Sequence, residues 1–426
     1  MSIPINCFEY GIFDLETDYQ KEIDEINNSF GKKVFKLIYS QNDRIFLKAT
    51  QHVGLINIKG RIIQILPKTY HRDEECPEEK RKQAIKNLFY MLNHTSFKLK
   101  DWDATAFEKF DDIFEVIIYL FSKNLLDIVK KGFYRNYITI EENKSGALRG
   151  KLLVHKHATE NFITKQKFYI EFDEFSENNL LNHVFKFTIE HLSYLSTNDI
   201  NKKLLRELKF LFSDVDYQFI TDSDLNRITF SKLNDHYKQP FNMAKMFIQR
   251  IWYPEYLMAP KAKDIYGFLI DMNQLFQDFL AYFIKKYKTD ILPEQYRHAE
   301  ILIQKSEMYL VSDEKRNGVF ELKPDIMIKE GKDFKLIIDA KYKELKPDER
   351  KLGISQGDMY QVYAYTTRYN SPKTILVYPE YENYMNPIIR EFYSDSKKIS
   401  ARSINLMMDL SKNEEELKKC LKEILA

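Results

Sequence analysis

The residues of this 426-residue chain best suited to chemistry lie in the stretch 319–345, VFELKPDIMIKEGKDFKLIIDAKYKEL. Asp325 follows Pro324, Asp339 stands near the end of a second apolar run, and Lys341 comes two residues later. Two carboxylates can hold a hard divalent cation such as magnesium, which prefers oxygen ligands and keeps several waters, and a lysine beside it can orient or deprotonate an attacking water. That is apparatus for hydrolysing a phosphodiester. Alternation of apolar and polar residues through Phe320, Leu322, Ile326 and Ile328, and again through Leu336 to Ile338, predicts two strands joined by a tight turn at Gly331. Side chains two apart on a strand share a face, so Asp339 and Lys341 point the same way and a neighbouring strand brings Asp325 beside them. Gln361 and Tyr365 are four apart, hence on one face of the helix predicted over GDMYQVYAYTTRY. That face either meets the scissile phosphate and DNA backbone or packs as any helix does.

The surrounding elements come in an order that can position this set. IYGFLIDMNQLFQDFLAYFIKKYK predicts a long amphipathic helix, HAEILIQKSEMYLV a strand, then the two strands, the helix and a further strand, TILVYPE. The order α-β-β-β-α-β calls for a mixed sheet flanked by helices. NEEELKKCLKEIL adds a terminal helix with opposite charges at helical spacing.

Upstream, residues 1 to about 70 read as β-rich. FKLIYSQNDRIFLKAT turns at Gln41 to Asp43 and GLINIKGRIIQILPK at Lys59 and Gly60, a meander suited to contact with a partner or DNA. After the charged linker HRDEECPEEKRKQ, the stretches AIKNLFYMLNHT and DIFEVIIYLFSKNLLDIVKKG predict amphipathic helices, the second ended by Gly132. GFYRNYITIEENKSGALRGKLLVHKH predicts strands around Gly146, where Arg135, Arg149 and Lys151 either contact phosphate or are solvated charges. His155 and His157, two apart on a strand, lack a third ligand of clear metal spacing. Ser176 with Asn179 resembles a helix cap, and NKKLLRELKFLFSD and FNMAKMFIQRIW extend a mostly helical middle. The fold expected is α+β and multidomain: a β-rich partner-binding domain over 1–83, a mainly helical domain over 84–258, and the carboxylate-bearing domain over 259–426.

Charge is abundant but balanced, 65 Lys plus Arg against 63 Asp plus Glu, so any nucleic-acid surface must be a local patch. Cys7, Cys76 and Cys420 are far apart and form no metal-type pair, which suits a reducing compartment. No apolar run approaches a membrane span, and the start MSIPINCFEYG lacks the regions of a signal peptide, so a cytoplasmic protein without membrane contact is expected. No GxxxxGK[ST] loop is present, so the chain itself is expected to bind no nucleotide.

Pro324-Asp325 with Asp339-Ala340-Lys341 resembles the PD-(D/E)xK nuclease superfamily, and Gln361-x-x-x-Tyr365 looks like the additional motif of its RecB-like branch. The chain as a whole resembles the McrC family of McrBC-type modification-dependent restriction systems. The similar patches are GLINIKGRIIQILPK, GFYRNY with LRGKL, FDEFSENNLLNHV, DMNQLFQDFL, DAKYK and DMYQVYAY. The resemblance implies a PD-(D/E)xK endonuclease domain, double-stranded and modified DNA as substrate, and an McrB-like AAA+ GTPase ring as partner. That ring is bound through the N-terminal part, and its GTP hydrolysis is stimulated. It also implies magnesium, with manganese as a substitute, on Asp325, Asp339 and the carbonyl of Ala340. Lys341 then positions the water while Gln361 and Tyr365 align the substrate. One departure is Gln277, where the family carries an acid; Asp278 follows it. Two other readings stay open: a stand-alone RecB-like nuclease, and a decayed scaffold that only activates a motor.

Overall fold

The apolar alternation of residues 326–340 closes into an antiparallel hairpin, Ile326–Glu330 against Asp333–Ala340, with Ile326 opposite Ile338 and Met327 opposite Ile337. Gly331 makes the turn at φ 60°, a conformation open to glycine and unfavourable for most other residues. The first predicted strand is shorter than expected. Pro324 has no N–H to give a ladder, and the chain breaks there into Gly318–Leu322, which pairs with Met308–Ser312, and Ile326–Glu330. HAEILIQKSEMYLV likewise divides at Gln304, which has φ 47°, into Glu300–Ile303 and Met308–Ser312 in two different sheets.

The computed structural model describes residues 5–14, 20–30, 33–39, 45–58, 61–68, 78–95, 110, 113–146, 148–163, 165–249, 257–258, 265–381, 386–394 and 397–426. The expected turns at Gln41 to Asp43 and at Lys59 with Gly60, and Cys76, lie outside these residues. Two compact units form, Met1–Ile113 with Tyr253–Ala426, and Phe114–Trp252.

In the first unit a six-stranded sheet runs Glu300–Ile303, Ile326–Glu330, Asp333–Ala340, Lys373–Pro379, Lys397–Ile404, Ile389–Ser394. Asp333–Ala340 and Lys373–Pro379 are parallel, which requires a crossover. The helix Gln356–Arg368 supplies it, and its Ser355 cap accepts from Asp358 N. Helix Met272–Lys286 packs on Asp333–Ala340. Set apart from the hairpin 308–322, the chain path is helix, three strands, helix, strand.

A second, five-stranded sheet in the same unit orders Ile5–Phe8, Arg61–Leu66, His52–Ile58, Ile265–Asp271, Leu257–Met258. Here IYGFLID is a strand where the periodicity predicts helix. Residues 265–271 pair along the whole of His52–Ile58, and only at Asp271, whose side chain accepts from Asn273 N, does the helix start. Long-range pairing has overridden local pattern. It also draws both ends of the chain into one unit, a division different from three consecutive segments. A three-stranded sheet, Ile12–Asp14, Ile45–Ala49, Phe35–Tyr39, adjoins it, and the helix Gln20–Phe30, in a region read as β-rich, buries Ile23 and Ile26 with Phe35, Leu47, Ile63 and Leu269. Helix Glu78–Asn93 begins inside the predicted linker.

The second unit joins helices Ile113–Val129, Leu180–Leu195, Asp199–Leu211 and Lys238–Gln249 to a sheet not foreseen as such. Its central strand, Lys167–Ser176, separates Asn136–Ser145 from Lys151–Leu152. His155 and His157 lie on the helix Val154–Glu160 and not on a strand, and His157 is hydrogen-bonded by Asn161 and stacked on Phe168. The helix at Leu180 is capped by Asn179 itself, while Ser176 accepts from Asn178 N.

Candidate active site

The hairpin delivers the two acids to one place. Asp325 directly precedes Ile326–Glu330, and its Oδ2 accepts from the Ala340 N–H at 2.8 Å, which ties it to the end of the adjacent strand. Asp339 is 1% exposed and Asp325 8%, so both carboxylates sit in low dielectric. Lys341 Nζ lies 2.8 Å from the buried Oδ2 of Asp339 and forms an ion pair with it. The same ammonium donates to Gln361 Oε1 at 2.9 Å, Gln361 Nε2 donates to the Tyr365 hydroxyl at 2.8 Å, and that hydroxyl donates to the Lys323 carbonyl at 3.2 Å. Asp325, Asp339, Ala340, Lys341, Gln361 and Tyr365 are thus one connected set. Gln361 and Tyr365 meet the lysine, however, where the helix face was expected to meet phosphate or simply to pack.

Burial raises the pKa of Asp325, and the charges of Asp339 and Asp278 raise it further. Burial raises Asp339 as well, against the pull of Lys341. For Lys341, burial works against the ammonium, but Asp339 with Asp325 and Asp358 outweighs it and holds the pKa above the usual lysine value. The lysine is a fixed positive charge. The carboxylates carry an energetic demand for another.

Two residues were not assigned to the site from the sequence. Asp278, on helix Met272–Lys286, is 9% exposed, accepts from Gln274 at 3.2 Å and Gln304 at 3.5 Å, and lies near enough to bear on Asp325. Gln277 is one step round the helix and only half-buried, so the acid of this helix that faces the centre is Asp278. The phase was legible, because Gln274 and Asp278 are four apart. The second is Lys68, which follows strand Arg61–Leu66. Its ammonium lies 4.4 Å from the Tyr10 ring centroid, 4.9 Å from Tyr342 and 5.6 Å from Tyr381, and donates to the Tyr342 carbonyl at 3.3 Å. Tyr342 directly follows Lys341. Buried Glu9 faces this cage; burial pushes its carboxyl up to about 8 against Lys68 and the Tyr342 hydroxyl.

Among the described residues, no group of three or more His, Cys, Asp or Glu is gathered as a metal cage. Two buried carboxylates and a carbonyl suit a cation that keeps its waters. Arg135 is held by Glu177 at 2.7 Å, Arg149 lies over the Phe172 ring at 4.3 Å, and Lys151 is 3.6 Å from Glu171, which accounts for all three cations of the middle region as surface contacts.

Fold and site together define a mixed α/β protein with a buried carboxylate pair and a lysine at the ends of adjacent strands. The profile of the McrBC 5-methylcytosine restriction system component matches residues 47–379, and the chain belongs to this family, as its McrC-like patches imply. No match is found among curated proteins. The fold resembles a chain from a half-complex of Thermococcus gammatolerans McrB AAA+ hexamers with bound McrC, with TM-score 0.71, 23% identity, and 99% of this chain and 100% of that one covered. A chain of the Thermococcus gammatolerans McrBC complex gives TM-score 0.50 and 24% identity, covering 67% of this chain and 88% of that one. No described helix is long and apolar enough to cross a membrane.

Proposed function

We propose that the chain is the DNA-cleaving subunit of a McrBC-type restriction system, a PD-(D/E)xK endonuclease that works with an McrB-like AAA+ GTPase ring, stimulates its GTP hydrolysis and cuts double-stranded, modified DNA. The observation that carries this reading is the buried Asp325–Asp339 pair with Lys341 ion-paired at 2.8 Å. Family membership supports it.

Magnesium, or manganese in its place, fits the residues present. Burial disfavours ionisation of both acids, and a bound cation offsets that cost. Asp325, Asp339 and the carbonyl of Ala340 would hold the ion, which when bound supplies Lewis-acid polarisation of the phosphodiester and an activated water. The chain's own residues do the rest. The Ala340 N–H fixes which oxygen of Asp325 turns outward. Lys341, a permanent cation anchored by Asp339 and Gln361, orients the water and steadies negative charge on the phosphorane-like transition state. Gln361 and Tyr365 hold that ammonium in line. Asp278 adds a third acid on the neighbouring helix, so Gln277 does not leave the centre short of one.

Asp339→Ala tests the assignment. With magnesium, GTP and the ring partner, cleavage of modified DNA falls by about a thousandfold or more while the melting temperature is kept. Cleavage at the wild-type rate would remove Asp339 from the reaction.

A further inference from the structure

A cleft of about 450 Å³ opens between the three-stranded sheet and the N-terminal five-stranded sheet, lined by Tyr10, Lys33, Lys36, Lys48, Thr50 and His52 among others. Among the described residues that line it there is no Asp or Glu. Lys36 and Lys48 are directly opposed cross-strand partners. Like charges in that position destabilise a sheet, and an extended chain has many alternatives there. Lys33 adds a third ammonium just before the same strand. Among the described residues none of the three is ion-paired to a carboxylate, whereas Lys329, Lys335, Lys341 and Lys343 each have one. Three unneutralised ammoniums around one concavity form a site for an anion with several charged oxygens.

The cleft is joined to the catalytic elements by two runs of direct contact. On one side Tyr10, which lines it, caps Lys68, and Lys68 donates to Tyr342, the residue after Lys341. On the other, Thr50 hydrogen-bonds His52 at 2.8 Å, and His52 lies 3.8 Å from Asp271, the cap of the helix that carries Asp278. We infer that this cleft binds the phosphate backbone of the DNA being cut, as a sequence-independent anchor beside the reacting phosphate. The inference rests on the nuclease reading for its choice of DNA over other polyanions. Phosphates along a backbone present charge at regular intervals, which suits a row of lysines.

The test is binding, read without magnesium so that cleavage plays no part. Fluorescence anisotropy of a short duplex is followed over a salt series with the full chain and with the variant Lys33→Gln, Lys36→Gln, Lys48→Gln. The lysine variant should bind about tenfold or more weakly near 0.15 M salt, and the slope of log affinity against log salt should be shallower by about 0.9 for each phosphate no longer neutralised. Its melting temperature should not fall, because a like-charge pair has been relieved. Absence of salt-dependent duplex binding by the wild-type chain would count against the nuclease reading itself, whereas wild-type binding that the lysine variant keeps would count against the cleft alone. Unchanged affinity and slope in the lysine variant would overturn the inference. So would a variant that keeps DNA affinity but loses association with the ring partner, which would make the cleft a protein-binding surface.

Discussion

Two buried acids of this chain occupy opposite kinds of setting. Glu115, 5% exposed in the second unit, is surrounded by donors: the Ser196 hydroxyl at 2.7 Å, Thr197 N–H at 2.6 Å, Asn198 N–H at 3.1 Å and the Asn201 amide at 2.7 Å. It closes the turn that begins helix Asp199–Leu211, satisfying backbone N–H groups a helix start leaves open. Asp339, 1% exposed, has the Lys341 ammonium at 2.8 Å, and burial still holds its carboxyl above the usual carboxylate range. A carboxylate held for structure is saturated by neutral donors that cannot leave. On the proposed reading Asp339 is held for chemistry and is left short, and the shortfall is what a cation or a reacting group can fill.

The largest effect that would break this contrast is on stability. Glu115→Ala strands several buried donors and should lower unfolding free energy by about 3 kcal/mol. Asp339→Asn, which removes a charge whose burial outweighs the pull of Lys341, should leave stability unchanged or raise it when no divalent cation is present. Urea melts of both variants decide this. If Asp339→Asn destabilised the chain as much as Glu115→Ala does, Asp339 would be a structural acid like the other.

A smaller effect sharpens the comparison within the site. Gln361 holds Lys341 by one hydrogen bond, so on the proposed reading it acts through the lysine as a positioning residue. Gln361→Leu should lower kcat about tenfold, near 1.4 kcal/mol, with KM for DNA unchanged. Tyr365→Phe removes the hydroxyl that orients Gln361 and should lose less. A rise in KM with kcat intact would return Gln361 to direct contact with substrate.

Much of the site was legible because strand periodicity fixes faces. Asp339 and Lys341 two apart, and Gln361 and Tyr365 four apart, came together as their spacing requires. What failed was whatever depends on distant partners. Ile265–Asp271 has aromatic and apolar residues that fit either state, and only its pairing to His52–Ile58 makes it a strand. Lys167–Ser176 is the centre of a sheet; Phe168, Ile170 and Phe172 alternate with Glu171 and Asp173, but nothing local says that the strand pairs on both sides, with Asn136–Ser145 and Lys151–Leu152. Asp278 is marked only by helix phase, and the missing acid at Gln277 masks it, because an alignment by residue type says nothing about which helix face the neighbour takes. Lys68 could not be found at all, since its tyrosines stand at positions 10, 342 and 381.

Glu9 offers the finest test, as a third buried acid between the two extremes: neither saturated like Glu115 nor part of the reacting set. It is 3% exposed and faces Lys68 and Tyr342, and burial lifts its pKa from 4.5 to about 8. A group whose pKa is higher folded than unfolded binds its proton more tightly in the native state. Its contribution to stability is therefore fully present below about pH 4.5, declines as pH rises, and is gone above about pH 8. Glu9→Gln keeps the shape and removes the proton. Urea midpoints of wild type and variant should coincide most nearly at acid pH and separate as pH climbs, the wild type becoming the weaker, with a constant gap once Glu9 is ionised. Parallel curves across that window would mean that Lys68 already neutralises Glu9 in full, and that the tyrosine cage beside Lys341 is as saturated as the pocket of Glu115.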